Sequence, residues 1–201
     1  MDEQDRNAIA DAVRQAESLT AAEIVVVIDH AASSYRTVPV VMALALSLLV
    51  PWPLLAMTAT SAPRIFLTQL VCAALLLCFL LWYGRGGRFV PGFIKRRRAH
   101  DVALREFTAR GLTRTRGRTG VLFYVAIQER YAEILVDTGL DGRIDQTVWD
   151  GIIGSALLAA RENRLRDGLI DAVQAVGVVL ARHAPRMADD IDELPNKVVI
   201  L

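Results

Sequence analysis

Three regularly spaced aspartates are the clearest candidates for metal chemistry in this sequence. Asp137, Asp141 and Asp145 stand four residues apart in a stretch that also contains turn-forming glycines. Carboxylate oxygens are ligands that calcium and magnesium prefer in proteins. If the end of a strand brings the three side chains together, with Asp150 nearby, they could bind such a cation. The alternative is that they are solvated loop acids and that Asp145 caps a helix.

Residues for acid–base or nucleophilic catalysis do not form a recognisable set. Residues 136–139 read Val-Asp-Thr-Gly, as in aspartic proteases, but that chemistry needs two carboxylates and the motif has no second copy. His30, His100 and His183 are far apart and have no metal-ligand spacing. The sequence also lacks a glycine-rich phosphate loop and a serine or cysteine nucleophile motif. We therefore predict no catalytic residue.

The elements that would position these residues alternate between helix and strand. Apolar residues recur at helical spacing in four stretches, Asp2–Leu19, Ala99–Arg110, Asp145–Ala160 and Gly168–His183. Runs rich in β-branched residues predict three strands, Ile24–Ile28, Gly120–Ile127 and Tyr131–Thr138. The last two strands are separated by a short turn and predict a β-hairpin. This order of elements predicts an α/β domain.

Two long apolar runs interrupt that domain. Val38–Met57 and Ile65–Tyr83 contain no Asp, Glu, Lys or Arg, and each is long enough to cross a bilayer core of ~30 Å as a helix. Only a short polar loop joins them, so the pattern predicts a transmembrane helical hairpin. Pro51 and Pro53 predict a kink in the first run, and a re-entrant segment is the alternative there.

Basic residues follow the second run directly. The set predicted to contact lipid headgroups is Arg85, Arg88, Lys95, Arg96, Arg97 and Arg98. The short loop between the runs has only Arg64, so the positive-inside rule predicts that both ends of the chain are cytoplasmic. Nucleic acid is the rival partner for a basic cluster, but no nucleic-acid-binding motif accompanies it. We therefore predict contact with anionic lipids and no nucleic-acid partner.

Several ordered motifs make the chain resemble the TPM domain family. They lie within Thr20–Val27, Ala103–Phe107, Gly111–Leu112, Arg118–Val125, Glu133–Leu140 and Gly168–Val173. The resemblance implies an α/β/α sandwich around a small mixed sheet. Some plant members are described as acid phosphatases and some domains bind divalent metal, mostly calcium. The ending Leu194–Lys197 resembles a bacterial membrane-bound branch of the family.

The resemblance also shows where this chain departs from its relatives. Family members carry acidic or amide residues just before the strand that begins Gly-Val-Leu, and these are attractive metal ligands. This chain has Gly117, Arg118 and Thr119 there. This difference from the family weakens the case for a bound calcium or magnesium ion. We therefore expect no cofactor, although either ion is possible.

These observations predict a cytoplasmic-face domain divided by its membrane anchor. The predicted segments are the N-terminal part of the domain (1–37), the transmembrane hairpin (38–83), a basic juxtamembrane segment (84–98), the remainder of the domain (99–183) and a tail (184–201). The predicted function is a non-enzymatic, multi-pass module of the bacterial inner membrane. Its expected partners are membrane lipids and a membrane protein. The alternative is a phosphatase that uses a divalent metal at the membrane face.

Overall fold

The computed structural model describes residues 1–32, 37–57, 61–83, 90–186 and 198–201. The chain divides into two compact units. Unit 1 consists of Met1–Ala32 and Arg96–Leu201, and unit 2 is Ser33–Lys95. The predicted insertion 38–83 falls within unit 2.

A small mixed sheet forms the centre of unit 1. Its strands are β1 (Ile24–Asp29), β2 (Val121–Ala126), β3 (Tyr131–Val136) and β4 (Val199–Ile200), in the order β3-β2-β1-β4. β1 is parallel to β2 and to β4, whereas β2 and β3 form an antiparallel hairpin. All residues of β1 and β2 are buried, as expected for parallel strands covered on both faces.

Helices cover both faces of this sheet. The helices of unit 1 are α1 (Glu3–Glu17), α5 (Gly92–Ala109, which begins at the end of unit 2), α6 (Gln146–Arg161) and α7 (Leu165–His183). On one face, α1, α6 and α7 share a core with alternate residues of β1, including Ile24, Val26 and Ile28. On the other face, α5 packs against Val25 and Val27. The predicted α/β class and three-layer arrangement are confirmed.

Unit 2 is helical, and its first apolar run is divided. It contains α2 (Thr37–Ser47), α3 (Pro51–Met57) and α4 (Ala62–Tyr83). The break falls at residues 48–50, because Pro51 disfavours helical geometry at Val50 and supplies no backbone N–H group. α2 and α3 both pack against α4. The kink predicted from Pro51 and Pro53 is thus a break between two helices.

Only α4 meets the length and composition needed to cross a membrane, within the part of the chain that the structure describes. Its stretch Ala62–Trp82 has a mean hydropathy of 2.5, whereas the apolar stretch Val40–Ala56 is shorter. Membrane crossing by the hairpin remains a prediction.

The edge strand β4 was not predicted. Val199 and Ile200 pair with Val27 and Ile28 of β1, and the backbone N–H of Leu201 donates to the Ile28 carbonyl. The predicted tail 184–201 thus ends in the sheet. Most of that tail, including its Leu194–Lys197 motif, lies outside the described residues.

Candidate functional site

The surface of α4 is apolar and exposed. Phe66 is 75% exposed and Trp82 is 82% exposed, and Leu67, Leu70 and Leu75 are also exposed. Only 6% of the apolar stretch of this helix is buried. An apolar surface of this extent is costly in water and is typical of a segment that lies against lipid or another protein.

Two polar side chains in unit 2 bond to their own helices. The Ser47 hydroxyl donates to the Leu44 carbonyl at 2.8 Å, and the Thr68 hydroxyl donates to the Arg64 carbonyl at 2.9 Å. A membrane core offers no water, so polar groups there must find partners within the protein. These two hydroxyls meet that requirement.

Four of the six predicted headgroup-contacting residues lie in the first turns of α5. Arg96 and Arg97 are exposed, while Lys95 and Arg98 are partly buried. The other two, Arg85 and Arg88, lie outside the described residues. α5 begins at Gly92, well before the predicted Ala99, so the described part of the basic juxtamembrane segment is helical from that residue onward.

A histidine–carboxylate pair follows the basic run on α5. His100 Nδ1 lies 2.8 Å from Glu133 Oε1, and the Tyr131 hydroxyl donates to Glu133 Oε2 at 2.9 Å. Burial, together with the neighbouring Glu133 carboxylate, raises the pKa of Tyr131, so its hydroxyl stays protonated and keeps donating. Sequence reasoning missed this pairing because α5 and β3 are brought together only by the fold.

A second buried carboxylate has a similar phenol partner. Asp29 ends β1, and its Oδ2 accepts a hydrogen bond of 2.9 Å from the Tyr124 hydroxyl, while its Oδ1 accepts from the Ala31 backbone N–H. Burial and this hydrogen bond raise the pKa of Tyr124. The phenol is therefore a fixed donor and unsuited to act as a base near neutral pH.

The buried aspartate of the predicted metal set has a cation beside it. Asp137 is only 5% exposed, and its Oδ1 accepts from the Thr138 backbone N–H at 2.7 Å. Its Oδ2 accepts no hydrogen bond from the described residues, but Arg118 Nε lies 3.8 Å away. The guanidinium of Arg118 also donates to the Thr113 carbonyl. The positive charge next to Asp137 is thus supplied by the protein.

The other members of that set are engaged elsewhere or exposed. Asp145 caps α6, as the sequence alternative predicted, and accepts from the Thr147 backbone N–H at 2.8 Å. This hydrogen bond lowers the pKa of Asp145. Asp141 is exposed, and Asp150 accepts from the Gln146 amide on the same helix.

The described residues do not fit a metal ion at this position. Among them, no group of three or more His, Cys, Asp or Glu side chains comes together in a way that could hold one. Asp137, Asp141 and Asp145 are therefore not brought into a common ligand set.

Close backbone packing explains why glycine stands at two positions in this region. A Cβ atom on Gly139 would lie 2.4 Å from the Gly117 carbonyl oxygen, and one on Gly120 would lie 2.3 Å from the Leu112 carbonyl oxygen. The Gly139 N–H donates to the Arg118 carbonyl at 2.9 Å. The Arg118 loop is thereby held against the turn that follows β3.

Comparison with known proteins finds similarity over part of the chain to one family and over its whole length to one solved structure. Residues 89–179 match the TPM domain. No curated protein matches the chain. The NMR structure of the BA42 protein from the psychrophilic bacterium Bizionia argentinensis has a similar fold, with a TM-score of 0.62 and 21% sequence identity. That similarity covers 100% of this chain and 95% of BA42, and it supports the fold alone.

Three carboxylates of unit 1 have fixed partners within the protein. His100 is paired with Glu133 and Asp137 with Arg118, while Asp29 accepts from Tyr124. Each carboxylate thus has a protein partner that stabilises its charge. Such pairs serve the fold or a binding surface at least as well as they serve catalysis.

Proposed function

We propose that this protein is a membrane-anchored TPM-like module without catalytic activity. It lies at the cytoplasmic face of the bacterial inner membrane and binds membrane lipids and a membrane protein. The exposed apolar surface of α4 is the observation that carries the proposal.

The anchor interrupts the soluble domain instead of extending from one end of it. β1 precedes unit 2 and β2 follows it, yet the two strands are paired along their whole length. Both ends of unit 2 must therefore lie on the same side of the membrane as the sheet. An apolar hairpin satisfies this requirement because it returns the chain to the side from which it entered.

The charges near unit 2 support a cytoplasmic sheet. Lys95, Arg96 and Arg97 follow α4 in the chain, whereas Arg64 is the basic residue near its start. Basic residues near the surface of an anionic leaflet contribute about 1 kcal/mol each to binding. Arg96 and Arg97 are exposed and suited to headgroup contact.

Extraction of membranes at alkaline pH tests the anchor. The full-length chain should stay in the pellet with integral membrane proteins after carbonate treatment. A chain that appears in the supernatant would rule out integral insertion.

Cysteine labelling in spheroplasts tests the orientation. In a background in which Cys72 and Cys78 are replaced by alanine, Ser61→Cys reports on the loop before α4 and Gln4→Cys reports on α1. Both positions are exposed. A membrane-impermeant maleimide should label Ser61→Cys in intact spheroplasts and Gln4→Cys only after lysis. The reverse pattern would place the sheet in the periplasm and contradict the proposal.

Affinity purification tests the partner. The chain is solubilised in a mild detergent and captured through a tag on its N-terminus, with a tagged membrane protein of similar size as the control. We expect a membrane protein to be recovered reproducibly with this chain and not with the control. Recovery of lipid alone would contradict the scaffolding role.

A further inference from the structure

Unit 1 contains a crevice that none of the charge pairs described above occupies. It has a volume of about 640 Å³ and lies between the β2–β3 turn and the connection from α6 to α7. The floor is apolar and includes Val125, Ala126 and Leu157. It opens at the end of β2 that is also the carboxyl end of its parallel neighbour β1, where α/β proteins commonly bind ligands.

The polar lining of this crevice is cationic and amide. Its lining includes the arginines Arg130 and Arg161 and the amide residues Gln128 and Asn163. Asp and Glu side chains are missing from the residues that line it. Neither arginine forms an ion pair with another described residue. Two guanidinium groups without acidic partners on an apolar floor favour an anion that carries an apolar portion.

The N-terminus of α7 lies at this crevice and should also attract an anion. α7 starts at Leu165, which lines the crevice, and its N-cap residue Arg164 provides no side-chain hydrogen bond to the first turn. The N-terminus of a helix carries a partial positive charge and exposes backbone N–H groups. The C-terminus of α6 is also near the crevice, and its free carbonyls would carry a partial negative charge. That charge is reduced because the backbone N–H groups of Glu162 and Arg164 donate hydrogen bonds to carbonyls in the last turn of α6.

Backbone strain is concentrated at the same place. Arg130 has φ 51° and Asn163 has φ 60°, and both residues line the crevice. This left-handed conformation is uncommon for residues other than glycine, and asparagine tolerates it better than arginine does. The left-handed geometry therefore occurs in both of the connections that line the crevice, the β2–β3 turn and the α6–α7 connection.

We propose that this crevice binds a phosphate-bearing ligand, with Arg130 and Arg161 holding the phosphate and the apolar floor holding a short hydrocarbon portion. Guanidinium groups match phosphate oxygens in charge and geometry. The same chemistry is found in a phospholipid headgroup and in a soluble phosphate ester. The site is formed by unit 1 alone, so it goes beyond the proposed anchoring function and does not depend on it.

Calorimetric titration of the full chain in neutral detergent micelles tests this site. The two probes are inorganic phosphate and water-soluble dibutyryl phosphatidic acid. Tighter binding of the lipid analogue is the expected result, because only this probe has a hydrocarbon portion for the apolar floor, and it identifies a phospholipid as the source of the phosphate. Equal binding of the two probes would show that the floor holds no hydrocarbon portion and would overturn that part of the proposal. The absence of saturable binding for both probes would overturn the proposal.

Two variants test whether the arginines of the crevice bind the phosphate. Arg161→Gln and Arg130→Asn each remove one guanidinium group, and asparagine suits the left-handed backbone at position 130. Each should weaken phosphate binding by about tenfold or more, which corresponds to loss of one charged hydrogen bond. Because the backbone at position 130 is strained, Arg161→Gln keeps the test valid if the other variant folds poorly.

Arg143→Gln is the matched control. Arg143 is exposed and follows the carboxyl end of β3, which is the opposite end of that strand from the β2–β3 turn that lines the crevice. Its replacement should leave the affinity within about twofold of the original, since distant surface substitutions rarely matter. Equal loss of binding in Arg143→Gln and Arg161→Gln would show only a general effect of net charge and would overturn the proposed site.

Discussion

Unit 1 and unit 2 use apolar residues in opposite ways. In unit 1 the large apolar side chains of β1 and β2 are buried on both faces of the sheet. In unit 2 the phenylalanine, leucine and tryptophan side chains of α4 are largely exposed. The same residue types therefore form a core in one unit and a surface in the other.

This difference is what the proposed anchoring predicts, with unit 1 in water and unit 2 in lipid. Unit 1 follows the rule of a water-soluble domain, in which apolar burial drives folding. In unit 2 the large apolar side chains of α4 are exposed, and the Ser47 and Thr68 hydroxyls bond to carbonyls of their own helices, as expected for helices in lipid. Four predictions test this comparison, from the largest expected effect to the smallest.

Truncation of one phenylalanine in each unit should give the largest difference in stability between the two units. Phe123→Ala removes a side chain that is 0% exposed in the core of unit 1 and should lower the free energy of unfolding by roughly 3–5 kcal/mol. Phe66→Ala removes a side chain that is 75% exposed and should leave the unfolding of unit 1 unchanged.

Denaturant unfolding in detergent micelles measures both phenylalanine variants. The buried Trp149 of unit 1 serves as the fluorophore, in a background with Trp52→Phe and Trp82→Phe. Destabilisation of unit 1 by Phe66→Ala as large as that by Phe123→Ala would mean that the two units do not differ in this way.

A charge in the middle of α4 should disturb membrane insertion and little else. Leu75→Arg places a cation at an exposed position of this helix and should cost about 2.5–3.5 kcal/mol of insertion free energy. Carbonate extraction should then release a measurable fraction of the chain, whereas Leu75→Ala should remain in the pellet. Equal retention of both variants would argue that α4 is not in contact with lipid.

Added methyl groups should distinguish tight from open helix positions within unit 1. A Cβ atom on Gly177 of α7 would lie 2.6 Å from the Ala16 Cβ atom of α1, so Gly177→Ala should destabilise unit 1 by roughly 1–3 kcal/mol. A Cβ atom on Gly154 of α6 would meet nothing within 4 Å. Gly154→Ala should therefore stabilise unit 1 by about 0.5–1 kcal/mol through helix propensity.

The two glycine variants are compared by thermal unfolding. Opposite shifts of the midpoint are expected. A loss of stability in Gly154→Ala would show that the outer face of α6 is covered by a contact that the described residues do not form.

The addition of calcium or magnesium should have the smallest effect on the thermal stability of the protein. Arg118 supplies the positive charge beside Asp137, and Asp145 is engaged in capping α6. We expect no saturable heat on titration with either ion and no change in the thermal midpoint. Binding that Asp137→Asn abolishes would contradict this expectation and revive the phosphatase alternative.

Much of unit 1 could be predicted because its elements have strong local patterns. The β-branched run in β1 and the capping aspartate of α6 both indicate their structures without reference to the rest of the fold. The start of α5 could not be predicted, since Lys95–Arg98 has no apolar periodicity and Pro91 and Gly92 are typical of a loop. The strand β4 has only two residues, which is too short for a pattern.

The paired side chains were beyond sequence reasoning for a different reason. His100 and Glu133 meet because α5 packs on the face of the sheet that β3 extends, and Arg118 reaches Asp137 because a glycine allows two loops to touch. The arginines of the crevice come from a turn and a helix end. None of these contacts has a fixed spacing in the chain.

The insertion of unit 2 between β1 and β2 also has a consequence for synthesis on the ribosome. β1 emerges first, but its parallel partner β2 is made only after the whole of unit 2, because Ile24 pairs with Val121. At translation rates of roughly 5–20 residues per second, several seconds separate the two strands. During that interval β1, which is apolar except for its last residue Asp29, lacks its neighbour β2, so the nascent chain is prone to aggregation until β2 has been made.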